Sequence, residues 1–180
     1  MKIIFATNNA HKLSEVQAVL GDGFELVTPR MCGVEEDIPE TAATLEGNAS
    51  QKSHYLYEKT GMDCFADDTG LEVDALGGEP GVHSARYATY GHDFAANNRK
   101  LLSELEGKDN RKARFRSVIS FIHNGVETQV EGIVEGRIAM QEAGCGGFGY
   151  DPLFIPDGFD VTFAEMLPEE KNAISHRGRA

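Results

Sequence analysis

The sequence predicts an α/β fold, a mixed β-sheet flanked by helices, on three observations. Strand and helix patterns alternate through the first half, a strong hairpin signal comes late, and nothing between them reads as a linker. Alternation favours parallel strands joined by helical crossovers, whereas a hairpin is antiparallel by construction, so the sheet is expected to be mixed. With no repeat, low-complexity tract or Pro/Ser-rich stretch, residues 1–180 are drawn as a single domain without an internal boundary.

Residues 2–6 are short and apolar after Lys2, which predicts a buried strand. Thr7-Asn8-Asn9 follows with N-cap chemistry, because short oxygen-bearing side chains accept from the free N–H groups of a first helical turn. Leu13, Val16, Val19 and Leu20 then recur at helical spacing until Gly21-Asp22-Gly23 stops the helix. Residues 24–28 predict a second strand, closed by Pro29, and an acid-rich loop over residues 35–40 leads into a helix at about residues 41–59. Cys64-Phe65-Ala66 predicts a short buried strand and Asp67-Asp68-Thr69-Gly70 a sharp corner before Leu71-Glu72-Val73.

Residues 77–81, rich in Gly and Pro, are loop, and residues 94–105 are helix with Leu101, Leu102 and Leu105 facing inward. Residues 115–123 and 126–135 flank Asn124-Gly125, the favoured pair for a two-residue type I′ turn. Residues 144–149 are a flexible loop, and residues 162–174 are helix broken by Pro168.

Composition narrows the function. With 17 Lys+Arg against 29 Asp+Glu the net charge is -12, which argues against a nucleic-acid binder that must neutralise phosphates over a wide surface. A small anionic substrate stays open, since a few inward cations or a divalent metal reverse the local field. Cys32, Cys64 and Cys145 are odd in number and far apart, as expected of reduced thiols. The apolar opening is too short for a secretory signal and no run is long enough to span a membrane, so a cytoplasmic protein with no membrane partner is expected.

Four segments carry candidate chemistry. Thr7, Asn8, Asn9, Ala10, His11 and Lys12 lie where the first strand ends and a helix begins, a place suited to phosphate; a plain N-cap beside a solvated lysine is the alternative. Asp67 and Asp68 are adjacent carboxylates at the end of an apolar strand, awkward without a cation, and hard carboxylate oxygens shared with phosphates are how Mg²⁺ is usually held. An ordinary turn is their alternative, and Glu40 is a candidate third carboxylate.

Gly144-Cys145-Gly146-Gly147-Phe148-Gly149 satisfies G-x-G-x-x-G, but Tyr150-Asp151-Pro152 follows where a dinucleotide site needs a helix, so that function is rejected. Phe148 between glycines is either a stacking platform for a flat ring or a core anchor. Residues 171–179 form a basic cluster that binds anions, reads a base edge, or is only a solvated tail. Serine-hydrolase, P-loop and zinc-protease signatures are missing from the sequence, and His54, His83, His92 and His123 stand alone, as expected of surface or hydrogen-bonded histidines.

Together these segments resemble the inosine triphosphate pyrophosphatase family. The matching residues are Thr7-x-Asn9-x-x-Lys12, Glu40-Thr41, Asn48-Ala49-x-x-Lys52, Ala66-Asp67-Asp68-Thr69-Gly70-Leu71, Pro80-Gly81-x-x-Ser84-Ala85-Arg86-Tyr87, Gly147-Phe148-Gly149-Tyr150-Asp151-Pro152 and Lys171-Asn172-x-x-Ser175-His176-Arg177. The resemblance implies two lobes around a nucleotide-binding cleft, a homodimer, and Mg²⁺-dependent hydrolysis of ITP, dITP and XTP to the monophosphate and pyrophosphate.

It further implies that Asp68 is catalytic, that Glu40, Asp67 and Asp68 hold metal, and that Lys12, Lys52 and Lys171 neutralise phosphates with hydrogen bonds from Thr7, Asn9 and Thr69. Arg86, Phe148, Gly149, Tyr150, Asp151, His176 and Arg177 complete the implied substrate site, with Phe148 stacking on the purine and His176-Arg177 donating to its six-oxo group. Two departures stand out: Gly47 replaces a glutamate usual before Asn48, with Glu46 one place earlier, and relatives usually continue past Ala180 into a final helix. A non-catalytic nucleotide-binding module, or a pyrophosphatase for pyrimidine or modified triphosphates, are the alternative functions.

Overall fold

A computed structural model of the chain describes residues 2–180. One six-stranded sheet runs in the order β2-β1-β3-β4-β5-β6, with β1 Lys2–Phe5, β2 Glu25–Val27, β3 Cys64–Val73, β4 Lys112–His123, β5 Val126–Ile138 and β6 Phe154–Pro156. The helices are α1 Ala10–Leu20, α2 Leu45–Thr60, α3 Phe94–Glu104, α4 Pro168–Ile174 and α5 His176–Arg179, with short 3-10 turns between. β1 is parallel to both β2 and β3, whereas β6 is antiparallel to β5, so the sheet is mixed as the sequence predicts. Asn124 and Gly125 both have positive φ (49° and 78°), which the two-residue turn between β4 and β5 requires.

Contacts divide the chain into two compact units, one of Met1–Asp68, Ser117–Glu131 and Ala180, the other of Thr69–Arg116 and Gly132–Arg179. In the first unit, β1 is buried on both faces, which is why residues 3–6 lack polar alternation. Ile3 and Phe5 join Val16 of α1 and Phe65 in one cluster, and the Phe5 and Phe65 rings stack with centroids 4.4 Å apart. Ile4 and Ala6 join Cys64, Ala66 and Leu56 of α2 in the other. Because side chains alternate along a strand, this sorting continues into the residues that follow Ala66.

The second unit packs Leu71, Val73, Leu101, Leu105, Phe115, Phe154 and Phe163 into one core. Pro168 occupies the first turn of α4, where its missing N–H has no partner to lose. The expected helix over residues 162–174 is therefore a 3-10 turn, Phe163–Glu165, and then a separate helix.

Other differences have local causes. The corner expected at residues 67–70 is absent, and β3 runs unbroken from Cys64 to Val73, because both aspartates are matched by ammonium groups and need no turn to reach solvent. α2 begins at Leu45, not near Thr41, because Thr44 caps it and side chains of Asn48 and Gln51 hold the N–H groups of Ala42 and Thr41. Val19 keeps helical spacing but lies 45% exposed. β6 and α5, three and four residues long, are too short for a periodic signal and were not expected.

Candidate active site

In the first unit, strand alternation decides which cation each carboxylate meets. Asp67 shares the face of Phe65 and α1, and its Oδ1 accepts from Lys12 Nζ at 2.9 Å. Asp68 shares the face of α2, where Lys52 Nζ lies 3.1 Å from its Oδ1 and Asn48 Nδ2 lies 3.1 Å from its Oδ2. Asn48 and Lys52 are four apart, hence on one helix face. Lys52 Nζ also donates to Glu40 Oε1 and to the Asp67 carbonyl, both at 2.6 Å. One buried ammonium thus gathers three oxygen acceptors.

Burial pushes the Asp68 carboxyl above its ordinary range, against the pull of Lys52 and Lys12. Burial works the other way on Lys52, but Asp68, Glu40 and Asp67 outweigh it and hold the ammonium above its ordinary value. Asp68 is therefore a carboxylate whose charge depends on its cations.

Mg²⁺ is commonly held by one or two carboxylates together with substrate phosphates and water. Glu40 and Asp68, both reaching one ammonium, supply hard oxygens around a cation and fit that requirement. Among the described residues no group of three or more His, Cys, Asp or Glu forms a metal cage, and the Asp67 carboxylate meets Lys12 on the other face. Of the three carboxylates implied, Glu40 and Asp68 share the Lys52 ammonium and Asp67 pairs with Lys12.

The N-terminus of α1 is better satisfied than expected. Asn9 Oδ1 accepts from the N–H groups of His11 and Lys12, and Thr7 Oγ1 accepts from Asn9 N, while Asn8, Ala10 and His11 are exposed. Lys12 is the group there whose charge reaches inward.

The second unit assembles the aromatic and basic residues. Asp151, 3% exposed, accepts through Oδ2 from Phe148 N at 2.9 Å and from Lys171 Nζ at 2.7 Å. That ammonium stands 5.1 Å from the centre of the Phe148 ring, and the Arg177 guanidinium stands 5.9 Å from it. Phe148 is half-buried and leans on Phe94 of α3, with ring centroids 6.1 Å apart. A side chain at Gly147, whose φ is +67°, would collide with the Asp151 carboxylate, so glycine is required for Phe148 N to reach it.

Arg177 also donates to Thr69 Oγ1 at 3.3 Å, and His176 stacks on Phe115 with centroids 4.8 Å apart. Lys171, His176 and Arg177 are all at most 5% exposed, so the solvated-tail alternative fails.

The Ham1 family's sequence profile matches residues 3–180. The chain belongs to the Ham1 family. It is 49% identical to a dITP/XTP pyrophosphatase of Flavobacterium johnsoniae over 100% of this chain and 94% of that protein. It is 53% identical to a protein of the same name from Porphyromonas gingivalis, covering 99% of this chain and 93% of that one. Among solved structures, a HAM1 protein from Coxiella burnetii superposes with a TM-score of 0.91 at 38% identity, over 99% of this chain and 93% of that chain. A nucleoside-triphosphatase / dITP/XTP pyrophosphatase from Mycobacterium abscessus gives 0.81 at 46% identity, over 99% and 96%. The resemblance read from the sequence is borne out.

Within this Ham1-family chain the expected residues fall into two sets. Lys12, Lys52, Glu40, Asp67 and Asp68 come together in the first unit. Lys171 was expected with the phosphate lysines but pairs with Asp151 beside Phe148. Tyr150 is in the core, its hydroxyl donating to the Ser84 carbonyl at 2.7 Å, and Arg86 is exposed at the end of the 3-10 turn Gly81–Arg86. Asn48 stands in a quoted motif but receives no site role from the sequence; its spacing of four from Lys52, which puts both on one helix face, is the signal for it. At Gly47 a Cβ would stand 2.7 Å from Ala42 Cβ, so the turn before α2 leaves no room for a glutamate.

Proposed function

We propose that the chain hydrolyses deaminated purine nucleoside triphosphates, dITP, ITP and XTP, to the monophosphate and pyrophosphate. The observation that carries this is the part-buried Asp68 carboxylate, held by Asn48 and Lys52 and sharing its cation with Glu40. Pure phosphate binding gains nothing from two carboxylates gathered on one ammonium, whereas metal-assisted hydrolysis needs them. The names of the relatives, dITP/XTP pyrophosphatases, supply the substrate class.

Glu40 and Asp68 would hold Mg²⁺, which when bound lowers the pKa of a water ligand and offsets phosphate charge. Asp68 orients the attacking water and takes its proton. Lys12 and Lys52 neutralise the phosphates, each charge-assisted bond contributing about 1.5–3 kcal/mol. Asp67 keeps Lys12 extended inward.

The base falls to the second unit. Phe148 stacks on the purine, and Asp151 fixes its backbone while tying down Lys171. Arg177 donates to the six-oxo group, which adenine replaces with an amino donor; that mismatch leaves buried polar groups unpaired. We place the enzyme in the cytoplasm as a homodimer. No helix among the described residues is long and apolar enough to cross a membrane.

Pyrophosphate release from dITP, ITP, XTP, ATP, GTP and dUTP with Mg²⁺ tests the function. Turnover of the first three well above the others is expected; equal turnover of all six, or none, overturns it.

A further inference from the structure

One face of α2 does more than hold Asp68. Gln51 and Lys52 follow Asn48 by three and four residues, so the three side chains project from the same side of the helix. The irregular segment 33–44 runs past that face, and its backbone borrows partners from it. Asn48 Oδ1 accepts from Ala42 N at 2.9 Å. Gln51 Oε1 accepts from Thr41 N at 2.8 Å, and Gln51 Nε2 donates to Thr41 Oγ1 at 2.9 Å.

The residue next to this clasp is Glu40. Its side chain is 37% exposed and it lies between elements, so side-chain contacts place its carboxylate rather than a sheet or helix ladder. Lys52 Nζ holds the tip of that side chain at 2.6 Å. Gln51 holds its base, by taking Thr41 at both the N–H and the hydroxyl. Further along the same helix face, Asn48 and Lys52 hold Asp68. Gln51 reaches Thr41 and not a carboxylate, which separates its contribution from theirs.

We propose that Gln51 is a positioning residue for the metal pair: by clasping Thr41 it sets where Glu40 stands relative to Asp68, and so the affinity for a hard divalent cation. This rests on the metal role proposed above for Glu40 and Asp68. A cation that demands near-ideal octahedral geometry binds two carboxylates well only where both already stand in place. Residues that orient ligands in this way are worth about 10–100-fold in metal affinity.

The test is a double-mutant cycle of Gln51→Ala and Glu40→Gln in the full chain, read as Mn²⁺ affinity without nucleotide. Mn²⁺ shares the preference of Mg²⁺ for carboxylate and water oxygens, and electron paramagnetic resonance reads its unbound fraction directly. Gln51→Ala should weaken Mn²⁺ about tenfold when Glu40 is present, and by less than about twofold once Glu40 is an amide. Pyrophosphate release from ITP should need about tenfold more Mg²⁺ for its half-maximal rate, with kcat at saturating Mg²⁺ within about twofold of wild type. A glutamine that only stabilised the helix would lower Tm without that split.

Alanine is a better helix former than glutamine, so Gln51→Ala should keep α2. If it nonetheless melts early, Thr41→Val removes the hydroxyl end of the same clasp outside the helix and should weaken Mn²⁺ in the same direction. Unchanged Mn²⁺ affinity in the folded variants, or a full tenfold loss in the Glu40→Gln background, overturns the inference. Mn²⁺ binding is read without turnover, so these outcomes stand apart from the proposed function, which wild-type protein cleaving neither ITP nor XTP overturns.

Discussion

Asp67 and Asp68 are neighbours in sequence that face opposite sides of β3, Asp67 toward Lys12 at 2.9 Å and Asp68 toward Lys52 at 3.1 Å. Two adjacent carboxylates therefore escape mutual repulsion without a turn, because the strand period of two sends them to different helices. Each helix answers with one lysine.

Breaking one of these pairs should be costly. Lys12→Ala leaves the Asp67 carboxylate, 1% exposed, without this partner, and should destabilise by about 3 kcal/mol, the low end for a buried pair because Lys12 itself is 19% exposed. Adding Asp67→Asn removes the charge that was stranded, so the double variant should melt above Lys12→Ala alone. Chemical denaturation of the four proteins in this cycle measures the coupling. Strict additivity would mean that the two side chains do not support one another.

Asp68→Asn separates stability from activity. Glu40 and the Asp67 carbonyl still accept from the Lys52 ammonium when Asp68 becomes an amide, and burial already disfavours the Asp68 charge, so this change should cost the fold less than Lys12→Ala, with Tm within a few degrees of wild type. On the proposed function Asp68 would hold metal and take a proton, so its loss should lower kcat about 10³-fold or more. A folded variant with near wild-type pyrophosphate release would displace Asp68 from the centre of the mechanism.

The fold class was legible because it rests on signals that survive without neighbours: an apolar run, helical spacing and Asn124-Gly125. The site was legible as motifs but not as partnerships. Nothing in the string Ala66-Asp67-Asp68-Thr69-Gly70 says that a strand passes through it, since that depends on ammonium groups arriving from α1 and α2. The partner of Lys171 was hidden in the same way, as a lysine near position 171 gives no sign that Asp151, twenty residues earlier, will pair with it. Gln51 looks like helix surface until the segment that it holds is in view.

Acid stability should depend on Glu127. Against the cost of burial, hydrogen bonds from Ser120, His54, Gln129 and Ser50 bring its pKa down to about 2, from 4.5. A depressed carboxylate stabilises the fold above its unfolded pKa and loses that contribution as pH falls through the folded value. Wild-type Tm should thus fall between pH 4.5 and 2 partly on this account. Glu127→Gln should flatten that slope, with a loss at pH 7 of about 1 kcal/mol, or roughly 2–4 °C. Parallel Tm–pH curves for the two proteins would exclude the role.

Base choice is the most demanding test of the second unit. Arg177 sits over Phe148 and donates to Thr69, so its loss removes a brace from β3 and, on the proposed function, a donor from the purine edge. Arg177→Lys keeps the charge but not the planar fork, and so isolates the donor geometry. We expect Arg177→Lys to lose about 1–3 kcal/mol of discrimination, about 5–150-fold in the ITP/ATP ratio of kcat/KM, with a smaller change in KM for ITP. His176→Ala is a poorer probe, because His176 is stacked on Phe115 and its removal opens the core. GTP shares the six-oxo group with ITP, so the ITP/GTP ratio should hold where the ITP/ATP ratio falls. Should Arg177→Lys and Arg177→Ala both lose activity with the ITP/ATP ratio intact, Arg177 serves Thr69 and the phosphates, and the purine edge is read by another group.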